Sequence, residues 1–160
     1  MALTATQRTT LAAHIRANAD PDVVSALSAR NDTELTRLYN LDSGFYVWRP
    51  TVSVEEYRDA LDWTEVDNVT ANKARIWEWA TGGMTLPLES GKANVRAGLA
   101  QCWAANSNTR TNLLVIAKRL ATVAEEVFAT GTGTENSPGD LVYQGSVTTS
   151  DIGRALNENP

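Results

Sequence analysis

The chain of 160 residues contains a single cysteine and a single histidine. One cysteine excludes an internal disulfide and suits a protein that folds in a reducing compartment. A Ser-His-Asp or Cys-His arrangement would have to use His14, and no carboxylate stands at helical spacing to orient its imidazole. A zinc site would likewise lack a recognisable ligand spacing. We therefore expect no catalytic residues, no bound metal and no cofactor.

The chain also lacks a long apolar run and an excess of positive charge. No stretch approaches the ~18 apolar residues that span a membrane, and the first residues have neither the basic region nor the apolar core of a secretory signal. The net charge is −5 and the isoelectric point about 4.9. Proteins that bind nucleic acid normally present a basic face. These features predict no membrane contact and no sequence-specific binding to nucleic acid.

Helix-start signals dominate what is present. Each is a short polar residue that can cap a helix, and in two cases a Gln or Glu three residues later completes a capping box. The predicted starts are Thr4 with Gln7, Asp20 before Pro21, Asp32, Ser53 with Glu56, Thr70, Ser90, Asn108 or Thr109, and Thr148 or Thr149. The helix after Thr70 is predicted to stop at Gly82-Gly83, since glycine readily adopts the left-handed cap conformation.

The longest amphipathic stretch is predicted over Thr109–Phe128, where most apolar residues fit one helical stripe. The composition then changes to ATGTGTENSPGD, rich in Gly, Thr, Ser and Pro, which is typical of a flexible linker. The GTGT part is not a phosphate loop, because no lysine follows it and it comes after a helix. We therefore predict a helical body over residues 1–128. Residues 129–160 would form a Gly/Thr linker and a C-terminal arm with a short terminal helix.

The fold class that follows is mainly α, a compact helical bundle with a short extended aromatic segment, FYVWRP at Phe45–Pro50, and a flexible C-terminal arm. Alternation in the aromatic segment places Tyr46 and Trp48 on one face, which is free unless another segment of the chain covers it. Trp77 and Trp79 lie about 200° apart on a helix, so both cannot face one core. Aromatic side chains are enriched at interfaces. The predicted interface residues are Tyr46, Trp48, Trp79, Leu141, Val142 and Tyr143.

Acidic residues cluster at Glu55, Glu56, Asp59, Asp62, Glu65 and Asp67. Paired carboxylates can hydrolyse glycosidic bonds, and phage lysozymes are helical proteins of similar size. The first three acids of this cluster, however, stand in the first turns of a predicted helix, where the helix dipole and capping already favour negative charge. A lysozyme-like hydrolase is thus the alternative from another functional class.

Three stretches of the chain resemble a family of structural proteins of tailed bacteriophages, encoded among the head and neck genes. They are Phe45–Val66, Lys92–Thr134 and Leu141–Leu156, and the most specific features are NTRTNL, FATGTGT and the later GSVTTSD. The resemblance carries no catalytic motif.

The resemblance implies a connector or adaptor subunit at the head–tail junction of the virion, assembled in the cytoplasm of the bacterial host. Such a subunit would form a homo-oligomeric ring between portal and tail and contact portal, neck or tail proteins, with packaged DNA passing nearby. Alternative structural roles are a tail-completion or tail-tube component and a head decoration protein.

Overall fold

The computed structural model describes residues 3–158, and over that range the chain is mainly α, which confirms the predicted fold class. Its elements are α1 Ala5–Ala17, α2 Pro21–Ser28, α3 Asp32–Tyr39, β1 Asp42–Trp48, α4 Val54–Ala60, α5 Trp63–Asp67, α6 Ala71–Thr81, α7 Ala93–Cys102, α8 Asn108–Ile116, β2 Lys118–Thr122, α9 Val123–Phe128 and α10 Thr149–Glu158. No helix among these residues is long and apolar enough to cross a membrane.

The two predicted capping boxes are confirmed. The hydroxyls of Thr4 and Ser53 accept the backbone N–H three residues on, and the side chains of Gln7 and Glu56 accept the N–H of the cap residue in return. Such reciprocal bonds satisfy donors that the first helical turn leaves unpaired. Asp20 caps α2 as predicted, with Pro21 in the first turn.

Other helix ends differ from the prediction by a few residues. Asn31 rather than Asp32 caps α3, and Ser107 rather than Asn108 or Thr109 caps α8. In both cases polar residues stand side by side, so the pattern alone does not choose between them. Helix α7 begins at Ala93 instead of following directly from Ser90.

The aromatic segment is extended, as predicted, and its residues up to Trp48 belong to strand β1, which pairs with β2 in a two-stranded sheet. The N–H of Val123 donates to the carbonyl oxygen of Leu41 at one end, and the N–H of Arg49 donates to that of Ala117 at the other. The strands therefore run antiparallel.

The structure divides the chain into two compact units. The first comprises the residues up to Val47 together with those from Leu120 onward, and the second comprises Trp48–Arg119. This differs from the predicted division into a body over residues 1–128 and an arm over residues 129–160. The segment that returns to the first unit is the one that was predicted to leave the body.

Each unit has its own apolar core. In the first unit, α1, α3, α9 and α10 surround the fully buried Leu11, Leu35 and Ile152. In the second unit, Tyr57 and Trp77 pack with Leu88, Trp103 and Leu113. The ring of Trp77 lies edge-on between its neighbours, with centroids 5.5 Å from Tyr57 and 4.9 Å from Trp103. Edge-to-face arrangements of this kind are favourable for aromatic side chains.

The single long helix predicted over Thr109–Phe128 is wrong. Helix α8 ends at Ile116, the backbone is extended as β2 over Lys118–Thr122, and α9 begins anew at Val123. A third capping box accounts for the restart, because the Thr122 hydroxyl accepts the N–H of Glu125 and the Glu125 carboxylate accepts the N–H of Thr122. Apolar spacing alone cannot distinguish one helix from two separated by a short strand.

The segment predicted as linker and arm packs into the first unit instead of leaving it. The predicted terminal helix is present as α10, and Thr148 accepts the N–H of Asp151 at its start. Tyr143 and Val147 are buried before it, and the Asn40 side chain bonds both the N–H and the carbonyl of Val147. Burial of these apolar residues, which a free arm would leave in water, favours the packed arrangement.

The glycines of this segment serve close packing. A side chain at Gly133 or Gly139 would collide with the ring of Phe45, and at Gly139 also with the carbonyl oxygen of Thr130. The backbone here bonds to β1: the N–H of Tyr46 donates to the carbonyl oxygen of Gly133 at 2.7 Å, and the N–H of Gly139 donates to that of Tyr46 at 2.8 Å. Glycine permits such an approach because it has no Cβ.

Candidate functional site

The predicted interface residues differ in exposure and are divided between the two units. The well-exposed residues are Trp79 and Val142. The half-buried residues are Tyr46, Trp48 and Leu141, and Tyr143 is buried. Trp48 and Trp79 belong to the second unit and the others to the first. Each must therefore be considered in its own unit.

Among the residues that the structure describes, Trp79 has the most exposed large apolar side chain, with 78% of its surface accessible. It lies on α6 two residues after Trp77, which is 6% exposed in the core of the second unit. The predicted opposition of these two indoles on the helix is therefore observed. Leu86, 59% exposed, lies against Gly82 at the C-terminal end of the same helix.

Further exposed apolar side chains in the second unit were not predicted. Trp63 is 58% exposed at the first position of α5, and Leu114 and Val115 are exposed on α8. The prediction of one long helix over Thr109–Phe128 obscured the separate packing of α8. Contiguous exposed apolar surface is a feature of interaction sites, whereas single exposed apolar side chains are common on protein surfaces.

Tyr143 is not available to a partner, since only 6% of it is exposed. Its hydroxyl donates to the carbonyl oxygen of Ser146 at 2.9 Å, and its ring lies edge-on to Phe128 with centroids 5.4 Å apart. Tyr143 was predicted, together with Leu141 and Val142, as an interface residue of the C-terminal arm. The neighbouring Val142 is indeed 65% exposed, so it remains a candidate contact.

Trp48 is half-buried and lines a pocket of about 50 Å³ between α7 and α8, which we call the Trp48 pocket. Its wall is mainly apolar and is formed by Trp48, Leu99, Ala100, Trp103, Leu113, Leu114 and Ala117, with Ser90, Arg96 and Arg110 as polar members. The Arg96 guanidinium lies 4.6 Å from the centre of the Trp48 ring, a cation–π contact. Trp48, which was predicted as an interface residue, therefore lines a recess.

The acidic cluster is engaged in structural bonds. A hydrogen bond from Arg49 at 2.7 Å, together with bonds from Ser53, lowers the pKa of Glu56 to about 2. Hydrogen bonds from Asn108 to Asp62, and from the backbone of Thr109 to Glu65, lower the pKa of both carboxyls. A glycosidase acid needs a raised pKa, so the direction of these shifts disfavours that role for the three residues.

The remaining residues considered for chemistry also have packing partners. His14 Nδ1 lies 2.8 Å from the hydroxyl of Tyr39, whose pKa is raised to about 12 by burial. Cys102 is 2% exposed, its thiol donates to the carbonyl oxygen of Lys73, and burial raises the pKa of the thiol. Across residues 3–158 no group of three or more His, Cys, Asp or Glu side chains is placed to hold a metal ion.

Comparison of the chain with protein-family models, with curated proteins and with solved structures finds no match.

Proposed function

We propose that this chain is a non-enzymatic structural protein of a tailed-phage virion. In this role it is a connector or adaptor subunit that forms a homo-oligomeric ring between portal and tail. The resemblance of Phe45–Val66, Lys92–Thr134 and Leu141–Leu156 to head and neck proteins motivates the assignment. It would place the subunit in the virion, after assembly in the host cytoplasm.

The observation that best supports an assembly role is the exposure of Trp79. Trp79 has 78% of its surface in water, and tryptophan is among the residues that contribute most to binding at interfaces. Leu86 adds apolar area near the end of the same helix. Together they offer a contact for a neighbouring subunit or for a portal, neck or tail protein.

Particle assembly in the native phage tests the proposal. Deleting the coding region should yield DNA-filled heads and free tails that do not join, and supplying the native chain should restore joined virions. Cryo-electron microscopy of the intact particle should show the chain as a ring at the junction. Normal head–tail joining without the chain would overturn the connector role.

Substitution of Trp79 tests whether its exposed indole belongs to the proposed interface. Trp79→Ala should reduce the yield of joined particles while leaving the fold intact, because the side chain contributes little to the core. Glu78→Ala, at an exposed neighbouring position on α6, is the matched control and should leave the yield unchanged. Equal yields from both variants would remove Trp79 from the proposed interface.

The same micrographs separate the other structural roles. Density along the tail or at its end would indicate a tail-tube or tail-completion component, and density on the capsid surface a decoration protein. A lysozyme-like activity is tested by adding the purified chain to bacterial cell walls. Lysis that is lost in Glu56→Gln or Asp62→Asn would replace the structural proposal with an enzymatic one.

A further inference from the structure

The Trp48 pocket has two guanidinium groups in its wall, and their bonding differs. Arg96 donates to the carbonyl oxygens of Ser90 at 3.0 Å and Gly91 at 2.8 Å, and it also lies over the Trp48 ring. Arg110 is half-buried, and its guanidinium makes no hydrogen bond or ion pair with any residue in the part of the chain that the structure describes. A cation is thus held beside an apolar recess without an anion of its own.

The position of Arg110 on α8 also favours an anion beside its side chain. It lies in the first turn, where the helix dipole favours negative rather than positive side chains. The first backbone N–H groups do not attract a ligand here, because the Glu65 carboxylate already accepts those of Asn108 and Thr109, each at 2.8 Å. A further carboxylate near α8 would therefore pair with the Arg110 side chain, and the dipole would favour it as well.

The size of the recess limits what can enter beside that carboxylate. The Trp48 pocket measures about 50 Å³, which is several times the space that one water needs, roughly 10–15 Å³. It is well below the roughly 150 Å³ of a cavity that holds benzene. Branched aliphatic groups can insert their methyl ends into such a space, whereas an aromatic ring is too large.

We propose that the Trp48 pocket is a docking site for a segment of a partner protein in which Glu or Asp stands next to a short aliphatic residue. The aliphatic side chain enters between Leu99 and Leu113, and the acidic side chain pairs with Arg110. Charge complementarity with Arg110 favours the acidic residue of the segment, and the apolar wall of the pocket favours the aliphatic residue next to it. This inference stands on the second unit alone and does not depend on a role in the virion.

The indole N–H signals of the full-length protein provide the test in solution. Trp48 and Trp103 line the pocket, whereas Trp63 and Trp79 do not. Titration with N-acetyl-Leu-Glu-amide and with N-acetyl-Glu-Leu-amide should shift the first pair of signals, with at least one of these peptides, and leave the second pair unchanged. The glutamine counterparts, which keep the shape without the charge, should bind about fivefold more weakly, the scale of a partly exposed ion pair.

Substitutions test which side chains contact the bound peptide. Arg110→Gln should remove the preference for the acidic peptides, while Arg75→Gln, an exposed arginine on α6 outside the pocket, should preserve it. Ala100→Trp, at an exposed position on the pocket wall, should abolish the indole shifts by filling the recess.

Three results would overturn the proposal. The first is unchanged Trp48 and Trp103 signals with every peptide. The second is equal binding of the acidic and amide peptides to the native protein. The third is a shift of the same two signals with protein concentration alone, which would make a second copy of this chain the occupant.

Discussion

At the scale of single residues, Gly139 stands where the surrounding atoms leave no room for a side chain. Glycine in a Thr/Gly-rich segment predicts flexibility, but here the missing side chain lets the Phe45 ring approach the backbone. An added Cβ would lie 2.6 Å from the carbonyl oxygen of Thr130, which is backbone and cannot rotate away. The residue is therefore required by packing in the first unit.

Gly139→Ala should accordingly lower the free energy of unfolding by about 1–3 kcal/mol, the usual cost of forcing extra atoms into a packed site. Urea unfolding followed by far-ultraviolet circular dichroism measures it. Gly98→Ala on α7 is the control, because its new methyl group would meet Ile76 at an ordinary 3.5 Å and alanine favours a helix. If both variants were as stable as the native chain, the 129–140 segment would be loose around Phe45.

At the scale of elements, capping residues in the sequence predicted most helix starts to within a few residues. The prediction failed over Thr109–Phe128, where α8 and α9 share one apolar pattern. The capping boxes at Thr4 and Ser53 are visible in the sequence because they need only residues three apart. The same signal at Thr122 and Glu125 was present, but the apolar stripe across it favoured one long helix. Pairing of β2 with β1 depends on residues far apart in sequence, so spacing could not predict it.

The exposure of the candidate interface residues was harder to predict than the positions of the helices, for a related reason. The 3.6-residue period correctly separated Trp77 from Trp79, because both lie on one helix. Alternation along Leu141–Tyr143 indicates only that neighbours face opposite ways, and it cannot show which face the first unit covers. The Trp48 pocket combines residues from three parts of the chain, with Arg96 and Arg110 on different helices, and no local pattern contains it.

The cap of α4 should give the second unit a pH-dependent stability. Bonds from Arg49 and Ser53 lower the pKa of Glu56 to about 2, against 4.5 for an unperturbed glutamate. Because the folded pKa is depressed, the contribution is present above pH 4.5 and is lost as the pH falls toward 2. Glu56→Gln should therefore reduce the drop in stability that the native chain shows across this range.

The measurement is the urea midpoint at several pH values, followed by tryptophan fluorescence, since all five tryptophans lie within Trp48–Arg119. Glu55→Gln is the matched control, because this neighbour is exposed and stands outside the capping box. The native pH profile should survive in Glu55→Gln. Identical profiles in both variants would show that the Glu56 bonds contribute nothing in solution. Added salt should weaken the effect, as Glu56 is partly exposed to solvent.

At the scale of the whole molecule, the return of the C-terminal segment determines how the chain is divided. The prediction that residues 129–160 form a flexible arm assumed that a change in composition marks a boundary. In the structure the first unit is built from both ends of the chain. Helices α1 and α3 near the N-terminus pack against α10, which is the last helix in the sequence. Removing this helix would expose apolar residues of the N-terminal helices.

Ile152→Ala tests this arrangement without shortening the chain. Ile152 is fully buried in the core of the first unit, and truncating a buried isoleucine typically costs 2–5 kcal/mol. Val142→Ala removes methyl groups from a side chain that is 65% exposed, so it should change the free energy of unfolding by no more than about 0.5 kcal/mol. Circular dichroism during urea unfolding should show the large loss in the first variant alone. A free arm would make the two substitutions equally harmless, because neither side chain would be taken out of water on folding.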